Sequence, residues 1–107
     1  MSRSLHELLG EALTHFEMAV GYANTEDLPQ VVVDATSLRI SAGIEVLNRV
    51  DPSIRTRMFG DNWQLMWGMR NRIAHGYLLV DADIIRQTVS TDLPTIIEAI
   101  RQALALP

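Results

Sequence analysis

The sequence predicts an all-α protein, an antiparallel four-helix up-down bundle with one additional short helix. Apolar residues recur at three- and four-residue spacing along most of the chain, which is the pattern of one buried helix face. Proline and glycine stand at the few positions that separate these periodic stretches. The length of 107 residues fits one domain, expected over residues 1–107.

The first two helices are predicted from a capping signal and a loop. Ser4 and Glu7 have the spacing of a capping box, in which each side chain satisfies a backbone N–H of the first turn. The apolar stripe that follows ends near Ala23. A polar segment then closes at Pro29, so a second helix is expected over about residues 30–50.

The middle of the chain predicts a short helix and then a longer one. Asp51-Pro52 is an N-cap residue followed by a proline in the first turn, and the short helix is expected to end near Gly60. Asp61 or Asn62 is expected to cap the next helix, with a break at Gly76.

The last helix is predicted to begin after Asp81 and to be interrupted by Pro94. Proline lacks a backbone donor and clashes with the preceding turn, so a kink or a new helix start is expected there. Asp92 is the expected cap of that restart.

Composition narrows the classes of function. The net charge of −4 argues against broad nucleic-acid binding, which depends on neutralising phosphates. All nine basic residues are arginines, and four of them, Arg55, Arg57, Arg70 and Arg72, would be the local basic focus of an RNA site. The absence of cysteine excludes disulfides. With no apolar run of membrane-spanning length and no signal-peptide pattern, a cytoplasmic location is expected.

One segment concentrates polar groups that are unusual in a plain helical bundle. Arg70, Asn71, Arg72, His75 and Tyr77 fall within eight residues. Histidine suits proton transfer near neutral pH, and arginine is permanently charged and suits bidentate contact with phosphate. On a helix Asn71 and His75 share a face, whereas Arg70 and His75 lie about 140° apart. A single helix aims both at one point only if the long arginine side chain wraps round it or a second copy of the helix completes the site. The geometry favours a site shared across a two-fold axis.

This segment resembles the Arg-x-x-x-x-His-x-Tyr motif of the HepT-like branch of the HEPN superfamily. Trp63 upstream, Glu45 in a Gly-Ile-Glu stretch and the Asp92-Leu93-Pro94 turn also fit, so the resemblance covers roughly residues 34–100. It implies a helical homodimer in which two motifs face each other and RNA is cleaved without a metal or other cofactor. It also implies an MNT-type nucleotidyltransferase antitoxin as the partner, which transfers AMP to the motif tyrosine, Tyr77.

The resemblance assigns roles to single residues, and other interpretations stay open beside them. The assigned residues are Arg70, His75 and Asn71 as catalytic, Tyr77 as the AMPylation target, and Arg72 and Glu45 as substrate-binding or supporting. Arg70 can instead form a structural ion pair with Glu45, and His75 can interact with the helix C-terminus. The whole chain can instead be a non-catalytic subunit that regulates a nucleotidyltransferase, or an interaction bundle with a vestigial motif.

Overall fold

The computed structural model describes residues 3–76 and 80–106. Within these ranges the chain is helical apart from short connections and contains no strand. The elements are α1 (Leu5–Tyr22), α2 (Gln30–Leu47), α3 (Pro52–Phe59), α4 (Asn62–Gly76), α5 (Ala82–Gln87) and α6 (Leu93–Ala105), with a π-helical turn, Thr88–Asp92, between α5 and α6. The all-α bundle predicted from the sequence is confirmed.

The N-terminal half is a closely packed pair of helices, α1 and α2. The predicted capping box begins α1, because the Glu7 N–H donates to Ser4 Oγ at 3.1 Å and the Ser4 N–H donates to a Glu7 carboxylate oxygen at 3.4 Å. α1 then packs on α2 where Phe16 meets Gly43. A Cβ at Gly43 would lie 2.6 Å from Phe16 Cε1, so this approach requires glycine.

The short helix α3 joins α2 to α4, and its two ends match the predicted signals. Asp51 caps it by accepting a hydrogen bond from the Ser53 N–H at 2.8 Å. The Ser53 hydroxyl, and then its N–H, lower the pKa of the Asp51 carboxyl by bonding its charged form. Gly60 ends the helix with φ of 56°, a left-handed conformation that favours glycine.

The hydrophobic core lies between α1, α2 and the C-terminal helices. Its fully covered side chains include Leu9, Phe16, Ile40, Ile44, Leu47, Ile85, Leu93 and Ile100. α4 contributes less to this core, since only Met66 and Ile73 on it are buried. The helix that carries the motif therefore lies at the edge of the bundle, with much of its surface exposed.

Two details differ from the sequence-based expectations. α2 ends at Leu47, and residues 48–50 form a turn that keeps Val50 buried. The expected Asp92 cap is wrong, because the Asp92 side chain makes no capping bond. The Leu93 N–H instead donates to the carbonyl of Thr88, five residues earlier, so a π turn and not a new N-cap leads into α6.

Candidate active site

The arginine of the motif is bound to the neighbouring helix. α4 packs on α2, and this contact brings Arg70 to Glu45. Arg70 Nη2 donates to Glu45 Oε1 at 2.9 Å, and Arg70 Nε donates to Glu45 Oε2 at 3.3 Å. Glu45 therefore binds the Nε–Nη2 edge of the guanidinium in a bidentate ion pair. Only 20% of the Arg70 side chain is exposed, against 48% for Glu45.

Two residues of α4 itself complete the surroundings of the guanidinium. Arg70 Nη1 donates to Asn71 Oδ1 at 3.1 Å. The guanidinium carbon of Arg70 lies 4.9 Å from the centroid of the Trp67 ring, within the range of a cation–π contact. Among the described residues these contacts use one hydrogen each on Nε, Nη1 and Nη2. A guanidinium has five such hydrogens, so two remain for a substrate phosphate.

His75 stands in a different environment. It is exposed in the last described turn of α4 and enters no hydrogen bond or ion pair with any residue in the ranges 3–76 and 80–106. Asn71, one turn earlier, lies on the same side of the helix but bonds to Arg70. Arg72 is likewise exposed and, among those same residues, has no hydrogen-bond partner.

The structure thus brings part of the predicted site together. Arg70, Asn71 and Glu45 are in direct contact, whereas His75 and Arg72 project from the helix without contacting them. Tyr77, the predicted AMPylation target, lies outside the described residues. The ion pair with Glu45 that the sequence left as an alternative for Arg70 is present. It leaves part of the guanidinium available, so the ion pair and a catalytic role are compatible.

The sequence motif gave Trp67 no role at the arginine. The signal that could have revealed it is the spacing, because residues three apart on a helix are neighbours on its surface. Trp67 precedes Arg70 by three residues and therefore lies next to it on α4.

Two other features of the surface are a polar contact between α1 and α2 and a groove beside α4. His15 Nδ1 is 3.1 Å from Arg39 Nη1 across the α1–α2 contact. Burial first, and the Arg39 charge second, lower the pKa of His15. A largely apolar groove of about 500 Å³ lies between α2, α4 and the π turn. No cluster of three or more His, Cys, Asp or Glu suited to a metal ion occurs in the described part of the chain.

Within residues 3–76 and 80–106, none of the helices has both the length and the apolar character that spanning a bilayer requires.

Comparison with known proteins adds one finding. A family model described as "Ribonuclease HepT-like" matches residues 7–103. This range runs from the first turn of α1 to the last turn of α6. No match was found among curated proteins or among solved structures.

Proposed function

Because this chain belongs to the HepT-like ribonuclease family of the HEPN superfamily, we propose that it is a toxin that cleaves RNA internally, without a metal, at a site shared by two copies of the chain. The observation that carries this proposal is the Arg70 guanidinium, which is held along one edge by Glu45 and keeps N–H groups for a phosphate. Its substrate and its antitoxin are both expected in the cytoplasm.

The chemistry needs few groups, because RNA carries its own nucleophile. The 2′-hydroxyl attacks the adjacent phosphorus, the bond to the 5′-oxygen breaks, and a 2′,3′-cyclic phosphate forms. One group must take the 2′-hydroxyl proton and another must protonate the leaving oxygen, and His75 suits either step. Arg70 offers permanent positive charge to the phosphorane oxygens. Asn71 supports Arg70 through their hydrogen bond.

A second copy of the chain accounts for the separation of Arg70 and His75. Arg70 faces α2, whereas His75 belongs to an exposed stripe of α4 that also contains Leu65, Gly68 and Arg72. Leu65 is 73% exposed, and a Cβ at Gly68 would meet nothing within 4 Å. Pairing of two such stripes would cover Leu65 and bring His75 of one copy towards the other copy's site.

The test of this proposal is cleavage of an RNA oligonucleotide by the purified protein in excess EDTA, with the DNA oligonucleotide of the same sequence as control. His75→Ala is expected to lower the rate by about 100-fold or more, the usual effect of losing a positioned acid or base. DNA is expected to resist because it lacks the 2′-hydroxyl. A requirement for added Mg²⁺, or full activity of His75→Ala, would contradict the mechanism.

The shared site has its own test. His75→Ala and Arg70→Ala chains, each inactive alone, are expected to regain cleavage when they are mixed and allowed to exchange subunits. A mixed dimer then holds one intact Arg70 and one intact His75. If mixing restores nothing although mass measurements show that mixed dimers form, each site is complete within one chain.

Control by a partner is the remaining part of the proposal. A nucleotidyltransferase antitoxin would transfer AMP from a nucleoside triphosphate to the Tyr77 hydroxyl, with pyrophosphate as the leaving group. Tyr77 follows His75 by two residues in the sequence. The added phosphodiester carries a negative charge, which would repel RNA phosphates and partly neutralise Arg70. Arg72 and Glu45 are proposed to support substrate binding.

Intact-mass analysis after co-expression tests the control, with a nucleotidyltransferase as the partner if one is encoded beside this chain. One or more AMP units are expected on Tyr77, and Tyr77→Phe is expected to stay toxic with the partner present. An unmodified chain, together with full neutralisation of Tyr77→Phe, would mean that the partner inhibits by binding alone.

A second function, that of a non-catalytic subunit regulating a nucleotidyltransferase, is favoured by one observation. The net charge of −4 disfavours general affinity for RNA. Under this alternative, the purified chain would bind the partner and leave RNA intact, and His75→Ala would have no effect on either.

A further inference from the structure

Four side chains form a continuous column from α3 to the site: Arg55, Trp63, Trp67 and Arg70, called the stacked column below. The Arg55 guanidinium carbon lies 4.4 Å from the centroid of the Trp63 ring. The two indole ring centroids are 5.9 Å apart, with an angle of 28° between their planes. The Arg70 guanidinium carbon lies 4.9 Å from the Trp67 ring. A guanidinium therefore stands at each end, and the two indoles lie between.

Both ends of the stacked column are attached to the same short stretch of chain. At one end Arg55 Nη1 donates to the carbonyl oxygens of Asn48 and Val50, each at 3.1 Å. At the other end Arg70 forms its ion pair with Glu45. The contacts thus start and finish within residues 45–50, and each guanidinium is held both by an indole ring and by this stretch of chain.

We propose that Trp67 is a positioning residue for RNA cleavage, holding the Arg70 guanidinium in one orientation before the substrate arrives. The inference rests on the proposed function, because it requires Arg70 to act on the scissile phosphate. Glu45 fixes one edge of the guanidinium and Asn71 accepts from Nη1; these bonds lie at the rim of the group, and the freedom that they restrict least is a tilt of its plane. The contact with the Trp67 ring limits this tilt, so the unused N–H groups keep one direction.

Fixing the direction matters for the rate. A charge that is already oriented needs no rearrangement when negative charge develops on the phosphorane, and this preorganisation is a large part of electrostatic catalysis. A long arginine side chain would otherwise lose conformational freedom at that moment. The low exposure of the Arg70 side chain, 20%, agrees with an arginine whose freedom is already restricted.

Steady-state cleavage of an RNA oligonucleotide separates this role from substrate binding. Trp67→Leu is expected to lower kcat about tenfold and to change KM by less than about twofold. The reason is that the orientation of Arg70 matters for stabilising the transition state and not for binding the substrate. Trp67→Phe keeps an aromatic face and is expected to retain at least about a third of the wild-type kcat. If Trp67 stacks on an RNA base instead, Trp67→Leu raises KM and leaves kcat unchanged, and the inference is wrong.

A double-mutant cycle tests whether Trp67 acts through Arg70. The double variant Arg70→Ala/Trp67→Leu is expected to be as slow as Arg70→Ala alone, since Trp67 then has nothing left to orient. Additive losses would overturn the inference while leaving the proposed function intact. If Arg70→Ala itself cleaves at the wild-type rate, the proposed function fails, and the inference fails with it.

Trp63→Leu is the matched control, because it removes an indole from the same helix that does not contact Arg70. It is expected to lower the unfolding midpoint about as much as Trp67→Leu but to lower kcat by less than about threefold. Equal kcat losses in the two variants would indicate a general packing effect and overturn the assignment.

A measurement on the wild-type chain tests the orientation of Arg70 even if Trp67→Leu folds poorly. NMR of protein labelled with ¹⁵N-arginine is expected to show an Arg70 Nε–H signal shifted upfield by the Trp67 ring current and slow to exchange with water. Arg70→Lys identifies the signal, and Trp67→Phe reduces its shift. An Arg70 signal at the position and exchange rate of a solvated arginine would contradict the inference.

Discussion

Arg70 and His75 lie five residues apart on one helix, yet their surroundings are opposite. Arg70 is mostly covered, bonded to Glu45 and Asn71 and in contact with Trp67. His75 is exposed and bonded to nothing among the described residues. The cause is the helix itself, since five residues turn the direction of a side chain by about 140°.

The difference indicates where each of the two residues obtains its orientation in the proposed site. Arg70 reaches its orientation within a single chain, through contacts between α2 and α4. Among the described residues His75 obtains no such orientation, and under the proposed function its direction comes from the substrate or from a second copy. Changes near Arg70 should therefore affect both stability and cleavage, whereas changes at His75 should affect cleavage alone.

The largest expected effect is the contrast between Arg70→Ala and His75→Ala. Each should lower the cleavage rate by about 100-fold or more. Arg70→Ala should also lower the free energy of unfolding by about 1 kcal/mol or more, because Trp67 and Asn71 lose a partner. His75→Ala should change it by less than about 0.5 kcal/mol, as is usual at exposed positions. Cleavage assays and urea unfolding check this, and equal stability losses would erase the distinction.

A smaller effect is expected from a substitution in the α1–α2 contact. Gly43→Ala places a methyl group where the buried Phe16 ring stands, which should lower the free energy of unfolding by about 1–3 kcal/mol. Gly43 precedes Glu45 by two residues, so a shift of α2 should also disturb the ion pair with Arg70. Gly68→Ala, where a Cβ meets nothing, is the control for stability of the isolated chain. Comparable stability of Gly43→Ala and wild type would show that the contact is not tight.

Much of this architecture was predictable because the signals are local. The capping box at Ser4 and Glu7, the cap at Asp51 and the stop at Gly60 each depend on a few neighbouring residues, and each was confirmed. The π turn was not predicted, because proline signals an interruption without specifying its hydrogen-bond pattern. The stacked column was not predicted either, since the contact between Arg55 and Trp63 depends on how α3 packs against α4.

A modest effect is expected from Glu45→Gln. Glutamine keeps one acceptor oxygen for Arg70 but loses the charge and the second acceptor. Cleavage should fall by less than about tenfold, and the free energy of unfolding by about 1 kcal/mol or less, because the pair is partly exposed. Single-turnover kinetics and urea unfolding provide the measurements. A loss as large as that of Arg70→Ala would mean that Glu45 takes part in the chemistry itself.

The smallest effect is a change in folding stability at acid pH, caused by a histidine that lies outside the proposed cleavage site. Burial and Arg39 lower the pKa of His15 in the folded chain, so the unfolded chain binds a proton more readily. The neutral His15 therefore contributes fully to stability above the ordinary histidine pKa of about 6.5, and this contribution declines as the pH falls below it. His15→Gln should flatten this decline in thermal unfolding between about pH 7 and 5. An unchanged slope would assign the acid sensitivity to other groups.

The π turn has a consequence for how the last helix meets the core. In an uninterrupted α-helix the residue four positions after the buried Thr88 would continue the inward row, and that residue is the charged Asp92. The wider turn takes up one extra residue. Leu93, five positions after Thr88, therefore points inward, and Asp92 stays in solvent. Deleting one residue from Thr88–Asp92 would place Leu93 four positions after Thr88, so a regular α-helix could then continue and keep the row formed by Ile96 and Ile100 on the core. The turn is thus equivalent to a one-residue insertion that the helix absorbs without changing the direction of the residues after it.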